Sequence, residues 1–302
     1  MSRKVVVTGG AGFIGSHLVD ALIERGFDVH VVDNYAAGKC AGRISSKATY
    51  REVDVRDEKL TGIFAGAQYV FHLAALPRVE YSLTHPFETF DVNAGGTINV
   101  LRAARRAGVK RVVLASSAAV YGDSQELPLR EDASPNPKSP YGFQKHVSEL
   151  ACRYWSEQEG LSTVSLRYFN VYGPRVDPEG AYALVVGRFL KLRMEGKPLT
   201  ISGDGTHTRD YVHVRDVARA NILAAESTAA GKGELINVGT GRESSVLDIA
   251  ALIGSEVEHV EERVEPARCA ADIRRPKELL GWEPSIKLED GIANLKKSLE
   301  IA

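Results

Sequence analysis

The chain is poor in cysteine, has no long apolar run and carries almost no net charge, and each shortage removes a class of protein. Three cysteines stand in 302 residues. Cys40, Cys152 and Cys269 are odd in number and far apart, which argues against a disulfide framework and a zinc site. They read as reduced thiols, and no metal is expected. No apolar run approaches the roughly 18 residues a bilayer span needs, and the opening "SRKVVVTGG" is too short in apolar residues for a secretory signal. A cytoplasmic location with no membrane partner is the default expectation. Net charge is -1 with both signs interspersed, so no basic face awaits nucleic acid. No internal repeat or low-complexity tract appears. What remains is small-molecule chemistry, in a chain of ordinary globular composition and a length suited to one large α/β domain or two fused units.

Over residues 1–167, short β-branched runs alternate with longer amphipathic stretches. "KVVVT", "DVHVV", "TYREV", "YVFHLA", "RVVLAS" and "STVSLR" read as strands, with helical patterns between most of them. Continuous apolar strands joined by helices imply a parallel sheet covered on both faces. From Pro86 to Ala107 apolar residues fall at near-helical spacing, and Gly108 is a stop signal. In "SPYGFQKHVSELACRYWSEQEG", Ser139 is a cap, Pro140 suits the first helical position and Gly160 ends the helix. After Arg167, Gly and Pro become frequent, as expected of a smaller, loop-rich portion.

"VVVTGGAGFIGSH" sets Gly9, Gly12 and Gly15 three residues apart, after a strand and opening a helix. Such glycines let backbone approach a pyrophosphate, which the helix N-terminus then binds through free N-H groups and its dipole. Asp33 ends the next strand, near the distance at which a carboxylate takes two ribose hydroxyls of an adenosine. A carboxylate there repels a 2′-phosphate, so NAD is favoured over NADP. Lys39 and Arg43 lie a few residues on, and neither directly follows Asp33. A Rossmann-type doubly wound parallel sheet is therefore expected over 1–167, with 208–236 returning to it. A smaller C-terminal α/β substrate domain is expected to take most of 168–302.

Tyr-x-x-x-Lys occurs twice, although random placement of the chain's Tyr and Lys residues predicts roughly 0.5 matches. "YAAGK", Tyr35 to Lys39, holds a Gly and lies just after a strand, so it reads as a loop in which the spacing aligns nothing. Tyr141 and Lys145 instead share one face of a capped helix. A phenol near pKa 10 is a poor base at neutral pH, and a neighbouring ammonium stabilises its phenolate.

With "TGGAGFIGSH", "VDN", "HLAA", "SSAAVYG", "SPYGFQK", "LRYFNVYGPR", "RDYVHVRDVA", "NVGTG" and "LGWEP" in order, the chain resembles the extended short-chain dehydrogenase/reductase family nearly end to end. Within it, the nucleotide-sugar 4-epimerases of the UDP-glucose/UDP-N-acetylglucosamine type are most similar. The resemblance implies catalytic roles for Ser117, which binds the reacting oxygen, Tyr141, the acid/base, and Lys145, which holds the nicotinamide ribose. Ser116 is the weaker alternative to Ser117. The implied NAD contacts are Gly9, Gly12, Phe13, Ile14, Gly15, Asp33, Asn34, Gly38, Asp54 and Val55. Leu73, Ala74, Ala75, Asn93, Ala115, Tyr141, Lys145 and Tyr168 complete them. A homodimer through two helices per subunit, around Phe87 to Ala107 and Tyr141 to Glu159, is implied on the same ground.

Related dehydratases carry an Asp-Glu pair after the Ser, and decarboxylases a Glu; this chain has Ala118 and Ala119. Methyl groups move no protons, so a 4-keto sugar is left to rotate and take its hydride back on the other face, which is 4-epimerisation. Alternatives are a UDP-glucuronate 4-epimerase, a nucleotide-sugar 4-reductase and a non-catalytic dinucleotide-binding scaffold. For the UDP-sugar, the resemblance implies diphosphate contacts at Arg209 and Asn170 and a uridine contact at Ala183. Ser82, Thr200, Ser202 and Val246 are weaker matches. "EPARCAAD" departs from the family's Arg-x-Gly-Asp spacing: Glu265 takes the acidic place, and Arg263 or Arg268 must serve as the Arg. Cys269 falls at the family's gatekeeper position, where a small residue admits an N-acetyl group at C2 and a Tyr excludes it.

Overall fold

The computed structural model describes residues 3–124, 126–176, 185–261 and 267–301. Seven strands form one sheet in the order Lys232–Val238, Ser162–Tyr168, Arg111–Ser117, Tyr69–His72, Lys4–Thr8, Asp28–Asp33 and Thr49–Glu52. Every neighbouring pair is parallel. The chain winds outward from Lys4–Thr8 through the next two strands, then crosses back to place Tyr69–His72 on its other side. That reversal opens a crevice beyond the carboxyl ends of the strands, where this class of sheet binds ligands.

Side chains alternate across the central strand, so one run feeds two cores. Val5 and Val7 pack with Leu18, Leu22 and Ala220 from the helices Phe13–Glu24 and Val214–Glu226. Val6 faces Leu60, Leu101, Ala104 and Cys152 on the opposite side. All three valines are 0% exposed, which explains why the strand reads as an unbroken apolar run.

The stretch 86–107 is helical from Pro86 to Arg106, as its periodicity predicts, and differs from a regular α-helix in one place. Between the α-helical parts Pro86–Phe90 and Gly96–Arg106 it widens into a π turn over Asp91–Gly95, with right-handed helical backbone throughout. The Asn93 side chain reaches out of the turn, accepting from Leu76 N-H at 2.7 Å and donating to Leu76 O at 3.0 Å. Apolar spacing cannot register a side-chain amide that holds a loop.

Beyond the sheet, structure is carried by ladders of two to four residues. Asn170–Tyr172 pairs with Tyr211–His213, Thr208–Arg209 with Ser244–Ser245, and Leu199–Ser202 with Val257–Val260. A separate core of Phe189, Leu199, Ile201, Ile249, Ile253 and Leu295 supports them. The "LGWEP" turn is fastened to the sheet's flank: buried Trp282 donates to Asp216 O at 3.0 Å, and the Asp216 carboxylate accepts from Ser285 and Ile286.

Candidate active site

The glycine turn is built by close approach. Gly9 has φ of +72°, and a Cβ on it would lie 2.6 Å from Ala74 N. Gly15 enters the first helix turn, where a Cβ would lie 2.1 Å from Gly9 O. Ala74 N-H donates to Thr8 Oγ1 at 3.3 Å, fixing the Leu73–Ala75 loop beside the turn. Gly12, which precedes the helix Phe13–Glu24, has no side chain to cap the first amides. The free amides and the glycine cradle fit a pyrophosphate.

Asp33 closes one end of this cradle. Its carboxylate accepts from Ala11 N-H at 3.0 Å and Tyr35 N-H at 2.8 Å. Burial pushes its carboxyl up from the usual range, and the two amides pull it back. With one bond on each oxygen, lone pairs remain for ribose hydroxyls. Lys39 and Arg43 are committed elsewhere: Lys39 pairs with Glu52 at 2.7 Å, and Arg43 donates to Arg175 O at 2.8 Å. Tyr35 to Lys39 is a loop with Tyr35 and Gly38 at positive φ. The adenosine end is otherwise lined by Asn34, which donates to Asp54 at 3.0 Å, and by Asp54, whose fork from Arg56 drops its carboxyl to about 2. Val55 is buried against Gly96. NAD thus finds donors, a ribose acceptor and a floor in the residues present.

At the other end of the crevice, Ser117 ends its strand and the helix Pro140–Gln158 passes over it. Ser139 caps that helix by accepting from Gly142 N-H at 3.1 Å, and Pro140 takes the first position. A second clamp comes from Ser82, buried on the helix Val79–Thr84, which accepts from Tyr141 N-H at 3.1 Å and donates to Val79 O. The Ser117 hydroxyl oxygen accepts from Ala119 N-H at 3.1 Å and lies beside the Tyr141 phenol. Burial pushes the phenol up to about 12, and the Ser117 hydroxyl pulls the other way. Lys145, 6% exposed, donates to Ala115 O at 2.7 Å and holds its ammonium 5.8 Å from the Tyr141 ring centroid. Burial draws Lys145 down to about 8, with Glu149 opposing.

Ser116 faces the other way and donates to Glu149 at 2.5 Å, so strand alternation alone leaves Ser117 toward Tyr141. Arg167, 0% exposed, forks the same Glu149. Below lies a second buried chain in which Thr8 bonds His72 at 2.8 Å and His72 bonds Thr97 at 3.0 Å. Asn93 donates to Gln144 at 2.7 Å, tying the π turn to the helix Pro140–Gln158. Sequence reasoning missed the pair Glu149 and Arg167. Their signal was an Arg inside the apolar strand "STVSLRY" and a Glu one turn after Lys145.

Further candidates separate into three groups. Tyr168 is buried and donates to Asn221 at 2.9 Å, while half-buried Asn170 donates to Asp210 O at 3.4 Å. Arg209 lies half-buried beside Asp210, whose carboxylate fastens Thr240, Gly241 and Ala271. Cys269 packs against the cluster of Tyr121, Leu129, Phe169 and Ala271, against which Ala118 also packs. Burial pushes that thiol up to about 12. Thr200 accepts from Arg188 at 2.6 Å, Ser202 donates to Glu261 O at 3.1 Å, and Val246 starts a helix. Arg268 is committed to Glu243 through its Nε at 3.1 Å. Ala183, Arg263 and Glu265 lie outside the described residues. Among the described residues no cluster of His, Cys, Asp and Glu could hold a metal ion, and no helix is long and apolar enough to cross a membrane.

A glycine turn, a carboxylate at the next strand end and a Ser, Tyr and Lys group at one crevice define the class: an α/β protein of the dinucleotide-binding kind. Residues 5–239 match the NAD dependent epimerase/dehydratase family, and the chain belongs to it. It is 40% identical over 298 residues, 95% of each chain, to a putative UDP-glucose 4-epimerase of Methanocaldococcus jannaschii. It superposes with TM-score 0.93 and 35% identity on a UDP-N-acetylglucosamine 4-epimerase from Methanobrevibacter ruminantium M1 bound to UDP-N-acetylmuramic acid, covering 99% of this chain and 98% of that one. It is also 32% identical to UDP-glucuronic acid decarboxylase 1 of Xenopus tropicalis, over 96% of this chain and 70% of that protein. NAD is the cofactor of the family.

Proposed function

We propose that the protein is a UDP-sugar 4-epimerase that accepts UDP-glucose/UDP-galactose and the N-acetylated pair UDP-GlcNAc/UDP-GalNAc. The observation that carries the reading is the turn Ala118–Val120, directly after Ser117, which brings two alanines and no acid to the site. A decarboxylase or dehydratase needs a further acid or base there, which argues against those branches.

NAD, when bound, supplies a reversible hydride acceptor. Ser117 holds the sugar's reacting oxygen, and Tyr141 takes its proton and later returns it. A phenol near 12 is almost wholly protonated at neutral pH and cannot take a proton, so the Lys145 ammonium, charged below about 8, has to favour the phenolate. Because Ala118 and Ala119 cannot carry protons, the ketone's remaining course is rotation, return of the hydride to the other face of C4 and re-protonation of the C4 oxygen by Tyr141. The half-buried Cys269 thiol, against the same cluster as Ala118, leaves room a phenol ring would fill, which supports entry of an N-acetyl group. Asn170 and Arg209 are proposed for the diphosphate. Ser82 acts through Tyr141, as its clamp.

A homodimer is part of the proposal. The helices Pro86–Phe90, Gly96–Arg106 and Pro140–Gln158 expose Phe87 (90%), Phe90, Ile98, Phe143, Leu150 and Tyr154. An apolar strip on adjacent helices suits a second copy, and sedimentation at a monomer mass would remove it. The function is tested by incubating the purified protein with UDP-glucose, UDP-GlcNAc and UDP-glucuronate separately and resolving the C4 epimers. Conversion of the first two is expected. Conversion of UDP-glucuronate alone would replace the reading with the glucuronate epimerase, and activity on none would overturn it.

A further inference from the structure

Glu149 is a carboxylate inside the protein, 2% exposed, one helical turn after Lys145. Three elements meet on it. Arg167, on the strand Ser162–Tyr168, donates to Oε1 and Oε2 at 2.8 Å each. Ser116, on the strand that ends in Ser117, donates to Oε1 at 2.5 Å. From its own helix, His146 Nδ1 lies 3.6 Å from Oε2. Arg167 in turn sits 4.5 Å from the Tyr121 ring centroid and donates to Glu131 O at 3.4 Å.

Burying two charges costs more than most such pairs return in stability, and an apolar pair of the same volume usually serves as well. A buried pair joining these particular elements does something an apolar pair cannot. Ser116 and Ser117 are consecutive strand residues on opposite faces, so fixing one hydroxyl below the sheet fixes the height of the other above it. Lys145 and Glu149 share a helix face, so the carboxylate also lies within reach of the ammonium's field. The other groups around Lys145 are His72 from the strand Tyr69–His72, held neutral by burial, with Tyr141 and Cys152 from its own helix.

We propose that Glu149 is a positioning residue: compensated by Arg167 and tied to Ser116, it sets Ser117 against Tyr141 and keeps the Lys145 ammonium charged. The inference rests on the roles proposed for Ser117, Tyr141 and Lys145. Burial draws Lys145 down, and Glu149 is the first of the charges opposing that fall.

Two charge variants with opposite expected signs test it, read by lysine side-chain 13C resonances of the NAD-loaded protein, with Lys145→Met to assign the signal. Glu149→Gln leaves the Arg167 cation alone in the core, and the Lys145 titration should move down by about one pH unit. Arg167→Gln leaves the carboxylate alone, and the same titration should move up by a similar amount. No movement, or movement of one sign in both, overturns the proposal. Should either variant fail to fold, Ser116→Ala removes one donor and almost no volume. Its kcat is expected to fall about five-fold, with KM and Tm retained and activity restored in Ser116→Thr; an unchanged kcat overturns the proposal. A wild-type protein inactive on every UDP-sugar would sink the substrate reading, while the lysine titration would still decide the role of Glu149.

Discussion

The two ends of the crevice recognise their ligands by different means. At the dinucleotide end the contacts offered are mostly backbone: Gly9 and Gly15 against neighbouring main chain, and free amides at the start of Phe13–Glu24. At the sugar end they are side chains on short ladders and turns, from Ser117 through Cys269, supported by their own smaller core. Backbone contacts need a fixed local geometry and tolerate few residues. Side-chain contacts change one at a time, so this end is where the proposed function puts substrate preference.

Removing Tyr141's hydroxyl should have the largest effect of any change at the sugar end. Tyr141→Phe is expected to lower kcat about 1000-fold with the UDP-sugar KM little altered, and a loss under ten-fold would take the acid/base role away. At the dinucleotide end, Gly15→Ala puts a methyl 2.1 Å from Gly9 O, so bound NAD should be lost. A fall in NAD affinity of about 100-fold, some 2.7 kcal/mol, is expected by calorimetry. Full affinity would show that the turn has slack the structure denies. Cys269→Tyr should divide the substrates, losing about 10- to 100-fold in kcat/KM for UDP-GlcNAc while UDP-glucose is retained. Equal loss on both would make Cys269 ordinary core.

A change with no effect expected on turnover belongs to the polar floor beneath both ends. His72 is fully buried, and burial lowers its pKa from 6.5 to about 3. The unfolded chain therefore takes up a proton that the folded chain refuses. The contribution is complete above 6.5 and is lost as pH falls toward 3, at about 1.4 kcal/mol per pH unit. His72→Gln should flatten that limb of the stability curve, measured by denaturant unfolding from pH 7 to 4.5. An unchanged slope would assign the acid sensitivity elsewhere.

Legibility divides along the same line. The strand run around Val5 to Val7, the glycine spacing and the Ser139 cap were readable because each obeys one local rule of backbone or period. The Tyr141 and Lys145 pair was told from Tyr35 and Lys39 by its capped helix, and the positive φ at Tyr35 and Gly38 agrees. The π turn at Asp91–Gly95 was not readable, because Asn93 bonds to Leu76 across a loop. Nor was the Glu149 and Arg167 pair, which joins residues 18 apart in sequence and on different elements. The hydrogen bonds of Thr200 with Arg188 and of Ser202 with Glu261 O, between residues 12 and 59 apart in sequence, were likewise beyond the reach of spacing.

In the proposed reaction one carbon gives up its hydride and takes the same hydride back, with Tyr141 as the sole proton carrier. A UDP-sugar deuterated at C4 tests it directly, by mass and NMR analysis of both epimers. The account predicts deuterium retained at C4 in substrate and product, with no free reduced dinucleotide accumulating. Loss of the label to solvent, or stoichiometric consumption of dinucleotide, would contradict it.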